Sequence, residues 1–331
     1  MYYPTPLSKE TLLGNQHNEK QFSEALSQTY LNTSNKPIML PALDLTIVIP
    51  SWNEEKNLPG CLEAIGTDLA SKIVVIDSNS DDNTAAIAKR FGAEVINFTW
   101  NGKFPKKRNW YLRNYTPTTK WVFFLDADEY LTEEFKAELR ETLTTSDKAG
   151  YWLNYTVYFL GKQLKGGYPM RKLALFRVGA GEYERIDEAQ WSRLDMEVHE
   201  HPVLEGEVGV IRSRIDHRDY RGVSHYVVKH NDYSAWEAAR FQEVAVNIVS
   251  TNWTWKQRVK YRLMRSVLIG PAYFCGSFFL LGGFRDGSKG LAFAILKMSY
   301  FTQVYCKIRE HRKSSDKQHQ QKSILSSVAN A

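Results

Sequence analysis

"WVFFLDADEY", residues 121–130, ends an apolar run in three acids, Asp126, Asp128 and Glu129. A short apolar run bounded by polar turn residues reads as a buried strand. Carboxylates crowded at its end repel one another and lose hydration, a cost that a bound cation or phosphate chemistry offsets. A divalent ion such as Mg²⁺ takes one or two carboxylates, with substrate phosphates and water completing its shell. Two Asp at i and i+2, where the chain turns out of a strand, suit that arrangement. The alternative is a solvated acidic turn that caps the next helix, because negative charge favours a helix N-terminus.

Working outward from this stretch, a regular alternation begins at residue 45. "LTIVIP" (45–50), "KIVVID" (72–77), "AEVINFT" (93–99) and "WVFFLD" (121–126) read as strands. Helical spacing fills 55–68, 83–91, 106–114 and 132–143, the last opening on Thr132 as an N-cap. Strands alternating with helices of this length predict right-handed crossovers and an α/β fold with a mainly parallel sheet flanked by helices.

Ligands of such sheets sit beyond the carboxyl ends of the strands. Polar residues gather there in three loops. Pro50 ends the first strand of "PSWNEE", followed by Asn53 and Glu54; Asp77 ends the second in "DSNSDDNT"; Asp126 and Asp128 follow the fourth. Asn53 both donates and accepts, which suits a nucleotide edge, and Asp77 is placed to accept from a base or ribose. Asp81 and Asp82 read as caps of the next helix. Three loops converging on one rim favour a ligand site over an isolated acidic turn.

The chain has 331 residues, 43% of them hydrophobic, enough for a sizeable core. Cys61, Cys275 and Cys306 are odd in number and lack metal-ligand spacing, so they read as thiols of a reducing compartment. No apolar signal-type segment stands in "MYYPTPLSKETLLGNQHNEK". Residues 251–331 hold 14 Lys and Arg against 3 Asp and Glu, leaving 29 against 34 in residues 1–250. A basic C-terminal part on an acidic body points to a polyanionic surface.

Residues 1–43 read as a flexible, polar extension. Residues 150–178 and 203–218 read as longer strands around the turn "LKGGYP". From Val223 the pattern becomes helical, continuing through the basic, aromatic "WKQRVKYRLMR" (255–265). Two uncharged runs, "VLIGPAYFCGSFFLLGG" (267–283) and "LAFAILKMSYFTQVY" (291–305), flank "FRDGSKG". The first is at the short edge of what spans a bilayer and is interrupted by Gly and Pro. An interfacial or re-entrant hairpin is the expectation, with a core helix pair packed on the preceding domain as the alternative. Basic residues beside aromatics suit an anionic headgroup layer. The domain plan is therefore 44–222 catalytic, 223–310 helical and membrane-associating, and 311–331 a disordered basic tail.

"IVIPSWNEEKNL", "VVIDSNSDDNT" and "FFLDADE", in this order and spacing, resemble glycosyltransferase family 2 with its GT-A fold, over roughly residues 44–200. "FTWNGKFPKKRN", "VHE" (198–200), "KHNDYSAWEA" and "GGFRDGSKGLAFAILKMSYF" are similar to its bacterial lipopolysaccharide-core and exopolysaccharide glucosyltransferase branch. The resemblance implies inverting transfer of a sugar from a nucleotide diphosphate donor, with UDP-glucose the donor it favours. It implies that Pro50, Asn53, Glu54 and Asp77 hold the nucleoside. Asp126 would sit by the ribose and metal, and Asp128 would ligate Mg²⁺ or Mn²⁺ on the diphosphate.

Arg108, after Lys106 and Lys107, is a candidate phosphate contact or a solvated helix start. An inverting displacement needs a base for the acceptor hydroxyl proton. Glu200 matches the family's VHE position and is the expected base, with Glu197 as second choice; the commoner pattern has Asp there. His199 and His201 either orient the base or lie at the surface. His217, closing "VIRSRIDH", is a candidate third metal ligand. The acceptor implied is a saccharide or lipid-linked one at the cytoplasmic face of the plasma membrane.

Rivals differ by class. A haloacid dehalogenase-type phosphohydrolase also uses two Asp at i and i+2, with Asp126 as nucleophile and Asp128 as acid/base, but that motif belongs on a first strand. A non-enzymatic membrane-binding module leaves the acidic rim unexplained. No nucleic-acid motif is present, and no G-x-G-x-x-G follows the first strand.

Overall fold

The β-branched run of residues 45–50 forms the middle of strand β1 (Leu43–Ser51), which is buried from Leu45 onward. In the computed structural model, which describes residues 41–186, 194–195, 197, 201–246 and 255–329, β1 pairs in parallel with β2 (Ala70–Asp77) and β4 (Trp121–Phe124). β2 in turn pairs in parallel with β3 (Glu94–Asn97). Helices α1 (Leu58–Ile65), α2 (Thr84–Arg90), α3 (Lys107–Asn114) and α4 (Glu133–Thr145) provide the crossovers and flanks. Thr132 caps α4 by accepting from the Phe135 N–H at 3.1 Å, the role its place in the sequence predicts.

Beyond Asp128 the sheet turns mixed. Its order is β3-β2-β1-β4-β8-β6-β11-β5, where β5 is Glu129–Tyr130, β6 Gly150–Phe159, β8 Met170–Arg177 and β11 Val208–His217. β8 runs antiparallel to β4 and β6, while β11 runs parallel to β6. The short β7 (Lys162–Gln163) folds back on the end of β6, and β9 (Gly181–Tyr183) pairs with β10 (Pro202–Leu204). β5 closes antiparallel on the end of β11, setting Glu129 opposite His217. That last pairing joins residues far apart in the chain at the catalytic end of the sheet. The main core, including Leu45, Ile47, Phe123, Phe135, Leu153 and Ile215, lies between the sheet and its helices.

The C-terminal helices are α5 (Gly222–Val246), α6 (Trp255–Leu263), α7 (Ile269–Cys275) and α8 (Gly287–Ala329). A π-turn (Gly276–Leu280) and a 3₁₀ turn (Gly283–Asp286) join α7 to α8. α8 is continuous to Ala329, so residues 311–329 are helical where the composition predicts a disordered tail. Lys, Arg and Gln, which are good helix formers, make up seven of these 19 residues, and no Pro or Gly interrupts the run. No helix among the described residues is long and apolar enough to cross a membrane.

The α7–α8 pair packs as a hairpin. Gly270 makes its close approach possible, since a Cβ there would lie 2.2 Å from Thr302 Oγ1 and 2.9 Å from the Met298 carbonyl. Phe293 of α8 packs on Phe159 of β6 with ring centroids 5.2 Å apart. An edge-to-face pair of this kind contributes about 1 kcal/mol beyond its buried area. Leu43–Ala331 accordingly form one compact unit.

Candidate active site

Three loops meet at the carboxyl ends of β1, β2 and β4, and they are stitched together by their own polar groups. Asn53, at φ +54°, accepts from the Asp81 N–H through its Oδ1, and its own N–H donates to Ser80 Oγ at 2.9 Å. Asparagine is among the few residues that take this left-handed conformation routinely. Thr84 Oγ1 accepts from the Glu54 N–H, and Asp82 accepts from the N–H groups of Glu55 and Thr84. The N-cap position of α2 is Asn83, not the predicted Asp81 or Asp82, and Asp82 instead cross-links the two loops while accepting from the first N–H of the helix. Buried Asp77 accepts from the Ser80 N–H and hydroxyl. Pro50 lies in β1 opposite Ile76, buried, so it shapes the strand end.

Asp126 is enclosed by cations. Its Oδ1 accepts from Arg108 Nη2 at 2.8 Å and its Oδ2 from Lys172 Nζ at 2.5 Å. Lys172 also donates to Glu129, which accepts from the Tyr155 hydroxyl at 3.3 Å. Burial pushes the Asp126 carboxyl up, but Lys172 and Arg108 outweigh it and hold the group well below the usual carboxylate range. Glu129 is driven the other way. Burial raises its pKa to about 7 against the pull of Lys172, with Asp126 reinforcing the rise.

Asp128 differs in having an open oxygen. Its Oδ2 is buried without a hydrogen-bond partner, yet His217 Nε2 lies at 3.5 Å, Arg221 Nη2 at 3.7 Å and Lys229 Nζ at 3.9 Å. Burial favours the neutral acid, but His217, when protonated, and Lys229 bring the carboxyl below its ordinary value. Burial also lowers the His217 pKa, so the imidazole stays neutral and able to act as a metal ligand. The β11–β5 pairing thus brings His217 to the Asp128 carboxylate, as the sequence suggests.

Among the described residues no three His, Cys, Asp or Glu groups gather to hold a metal by themselves. Asp128 with His217 fits a Mg²⁺ or Mn²⁺ whose remaining positions come from phosphate oxygens and water. The unpartnered Oδ2 is the atom left for that ion. Asp126 does not join this set, because both its oxygens are taken by Arg108 and Lys172.

Two expectations are corrected. Arg108 is not a solvated helix start: it is buried, its guanidinium bonding Asp126 and the Glu197 carbonyl. Glu197 is not positioned as a base. It is buried, and its two oxygens accept from the N–H groups of Arg108 and Asn109, both at 3.0 Å. It thereby satisfies free donors at the start of α3, where a carboxylate is favoured. Glu200 and His199 lie outside the described residues. His201 is half-buried, its ring 5.6 Å from that of Trp152, and burial lowers its pKa to about 4.

Lys172, Arg221 and Lys229 are site residues that motif reading does not find. Arg221 bridges Glu54 at 2.6 Å to Asp219 at 2.8 Å, and Asn57 also donates to Glu54. Burial raises the Glu54 pKa to about 7, with Arg221 opposing. A signal was present: Arg221, His225 and Lys229 recur at i, i+4 and i+8, a basic stripe along one helix face. Lys172 stands out as a lysine inside the strand run "MRKLALFR".

A mainly parallel sheet with an acidic rim and a cationic surround places its charged groups where such sheets take ligands, beyond the carboxyl ends of the strands. The family model of glycosyl transferase family 2 matches residues 46–191, and over this stretch the chain resembles glycosyltransferases of that family. It is similar to the lipopolysaccharide core biosynthesis glycosyltransferase LpsC of Rhizobium meliloti (strain 1021), 29% identical over 79% of this chain and 90% of that protein. An uncharacterized glycosyltransferase of Rickettsia felis is 25% identical over 76% of this chain and 86% of that protein. The crystal structure of S. aureus TarS 1-349 aligns over 82% of this chain and 91% of that one, at 12% identity and a TM-score of 0.40.

Proposed function

We propose that this enzyme transfers a sugar, with inversion, from a nucleotide diphosphate donor to a lipopolysaccharide-core or related saccharide or lipid-linked acceptor. UDP-glucose is the donor we favour, and the cytoplasmic face of the plasma membrane is the place of reaction. The observation that carries the reading is the Asp128 Oδ2, buried and unpartnered at the rim, with His217, Arg221 and Lys229 around it. The name of the Rhizobium relative supports the acceptor class.

In this reading Asp128 and His217 hold Mg²⁺ or Mn²⁺ on the donor diphosphate, where the ion supplies Lewis-acid charge neutralisation and orientation. Arg221 and Lys229 add fixed positive charge beside the departing diphosphate, the kind of preorganised electrostatics that lowers such barriers. Asn53 and Asp77 present the nucleoside end of the pocket. Glu200 takes the acceptor hydroxyl proton while that oxygen bonds the anomeric carbon and the diphosphate leaves from the opposite face. A phosphohydrolase using Asp126 as nucleophile is disfavoured, because both its oxygens are engaged by cations.

Calorimetric titration with UDP, GDP, CMP and UDP-glucose, with and without Mn²⁺, tests the proposal on wild type and Asp128→Ala. Metal-dependent UDP binding, lost in the variant, is expected. Absence of binding by every nucleotide under every condition would overturn the reading.

A further inference from the structure

The turn between α7 and α8 carries large apolar side chains that the fold does not cover. Leu280 is 85% exposed and Phe279 58%, with Leu281 and Phe284 beside them. Leu291 and Ile295, one helical turn apart on α8, are also exposed. Contiguous exposed apolar surface of this kind marks a contact site.

The charge around this surface has one sign. Arg285 is exposed within the turn itself, and Arg258, Arg262 and Arg265 are exposed on and just after α6, which precedes the hairpin in sequence. Between residues 251 and 309 the sequence has a single acid, Asp286. That carboxylate is buried, accepting from the N–H groups of Lys165 at 2.9 Å and Gly166 at 3.1 Å. The turn therefore combines exposed apolar bulk with the exposed charge of Arg285, while the one acid of this stretch faces inward.

Its place in the fold is fixed by backbone contacts. Gly167 N–H donates to the Leu281 carbonyl at 2.8 Å, and Ser277 Oγ donates to the Gly167 carbonyl at 2.8 Å. A Cβ on Gly166 would meet the Gly282 carbonyl oxygen at 2.4 Å, so only glycine permits this seating. The 164–168 segment returns along the end of β6, where Leu164 N–H bonds the Val157 carbonyl, and Val157 lies in register with His217. The apolar turn thus projects from the same end of the sheet as the Asp128–His217 site.

We infer that this turn docks the enzyme on an anionic lipid surface, Phe279, Leu280 and Phe284 entering the headgroup boundary while the arginines pair with lipid phosphates. Apolar insertion combined with basic flanks is the physical recipe for interfacial binding. Docking in this way turns the catalytic rim towards the bilayer, where a lipid-linked acceptor stands. That orientation rests on the donor-site reading above, whereas the docking itself does not.

Sedimentation of the full chain with vesicles tests it, without nucleotide or metal so that failure of donor binding leaves the result readable. Vesicles of phosphatidylcholine with phosphatidylglycerol are compared with phosphatidylcholine alone, for wild type and for the double variant Phe279→Ser, Leu280→Ser. Both side chains are exposed, and an unchanged melting temperature would show that the fold is kept. Wild type is expected to prefer the anionic vesicles and the variant to bind them about tenfold or more weakly. Equal binding by variant and wild type, or no wild-type binding, would overturn the inference. So would a wild-type dimer that the same variant dissociates without any vesicle binding, because the surface would then belong to a second copy.

Discussion

The Nε2 of His217 stands 3.5 Å from Oδ2 of Asp128, although 88 residues of chain separate them in sequence numbering. The β11–β5 pairing, which sets His217 opposite Glu129, is what holds them there. If the pair shares a cation, His217→Ala should weaken apparent Mn²⁺ affinity by about tenfold or more while Asp128→Asn lowers turnover about a hundredfold or more. Metal titrations of activity on both variants check this. Unchanged Mn²⁺ dependence in His217→Ala would remove the histidine from the ligand set.

Glu197 is expected to matter for folding and not for proton transfer. Its carboxylate satisfies the first N–H groups of α3, so Glu197→Ala should lose on the order of 1–2 kcal/mol in denaturant unfolding. Turnover per folded molecule should stay near wild type. Glu200→Gln should instead lower turnover about a hundredfold or more with UDP affinity retained. A reversal of these two outcomes would exchange the assignments.

Lys172 faces Asp126 and Glu129 together. Its replacement by Met leaves those acids without their shared cation, and breaking such a pair costs about 3 kcal/mol or more. Thermal melting of Lys172→Met against wild type is the check. A variant as stable as the parent would mean that solvent screens this cluster.

The contribution of Glu54 and Glu129 to stability should fall as pH rises from 5 to 8. Glu54 and Glu129 titrate near 7 in the folded protein, above their ordinary 4.5. Between those values the folded state holds protons that the unfolded chain has released, so unfolding free energy decreases with pH. The stabilisation is full below about 4.5 and is gone above about 7, amounting to on the order of 1–3 kcal/mol per group. Glu129→Gln should flatten part of this slope in melting curves recorded across that range. A slope identical to wild type would place Glu129 among the groups that do not drive it.

Much of this was legible in the chain itself. Apolar runs of four to six residues, alternating with helical spacing, determine a mainly parallel sheet because each run must be buried on both faces. The polar residues that end those runs must then collect at one rim, which is why the convergence of Asn53, Asp77 and Asp128 was readable. Thr132 announced itself as a cap by residue type and position.

Only the tertiary structure decided which charges meet. Arg108 and Glu197 read as exposed functional groups, yet both are spent inside the protein on α3 and Asp126, since burial leaves a charged group no option but an internal partner. Lys172 reaches the rim because β8 runs back antiparallel beside β4, and Lys229 because α5 starts where β11 ends. No local pattern encodes such pairings. They depend on which strand lies beside which, and that is settled by packing across the whole sheet.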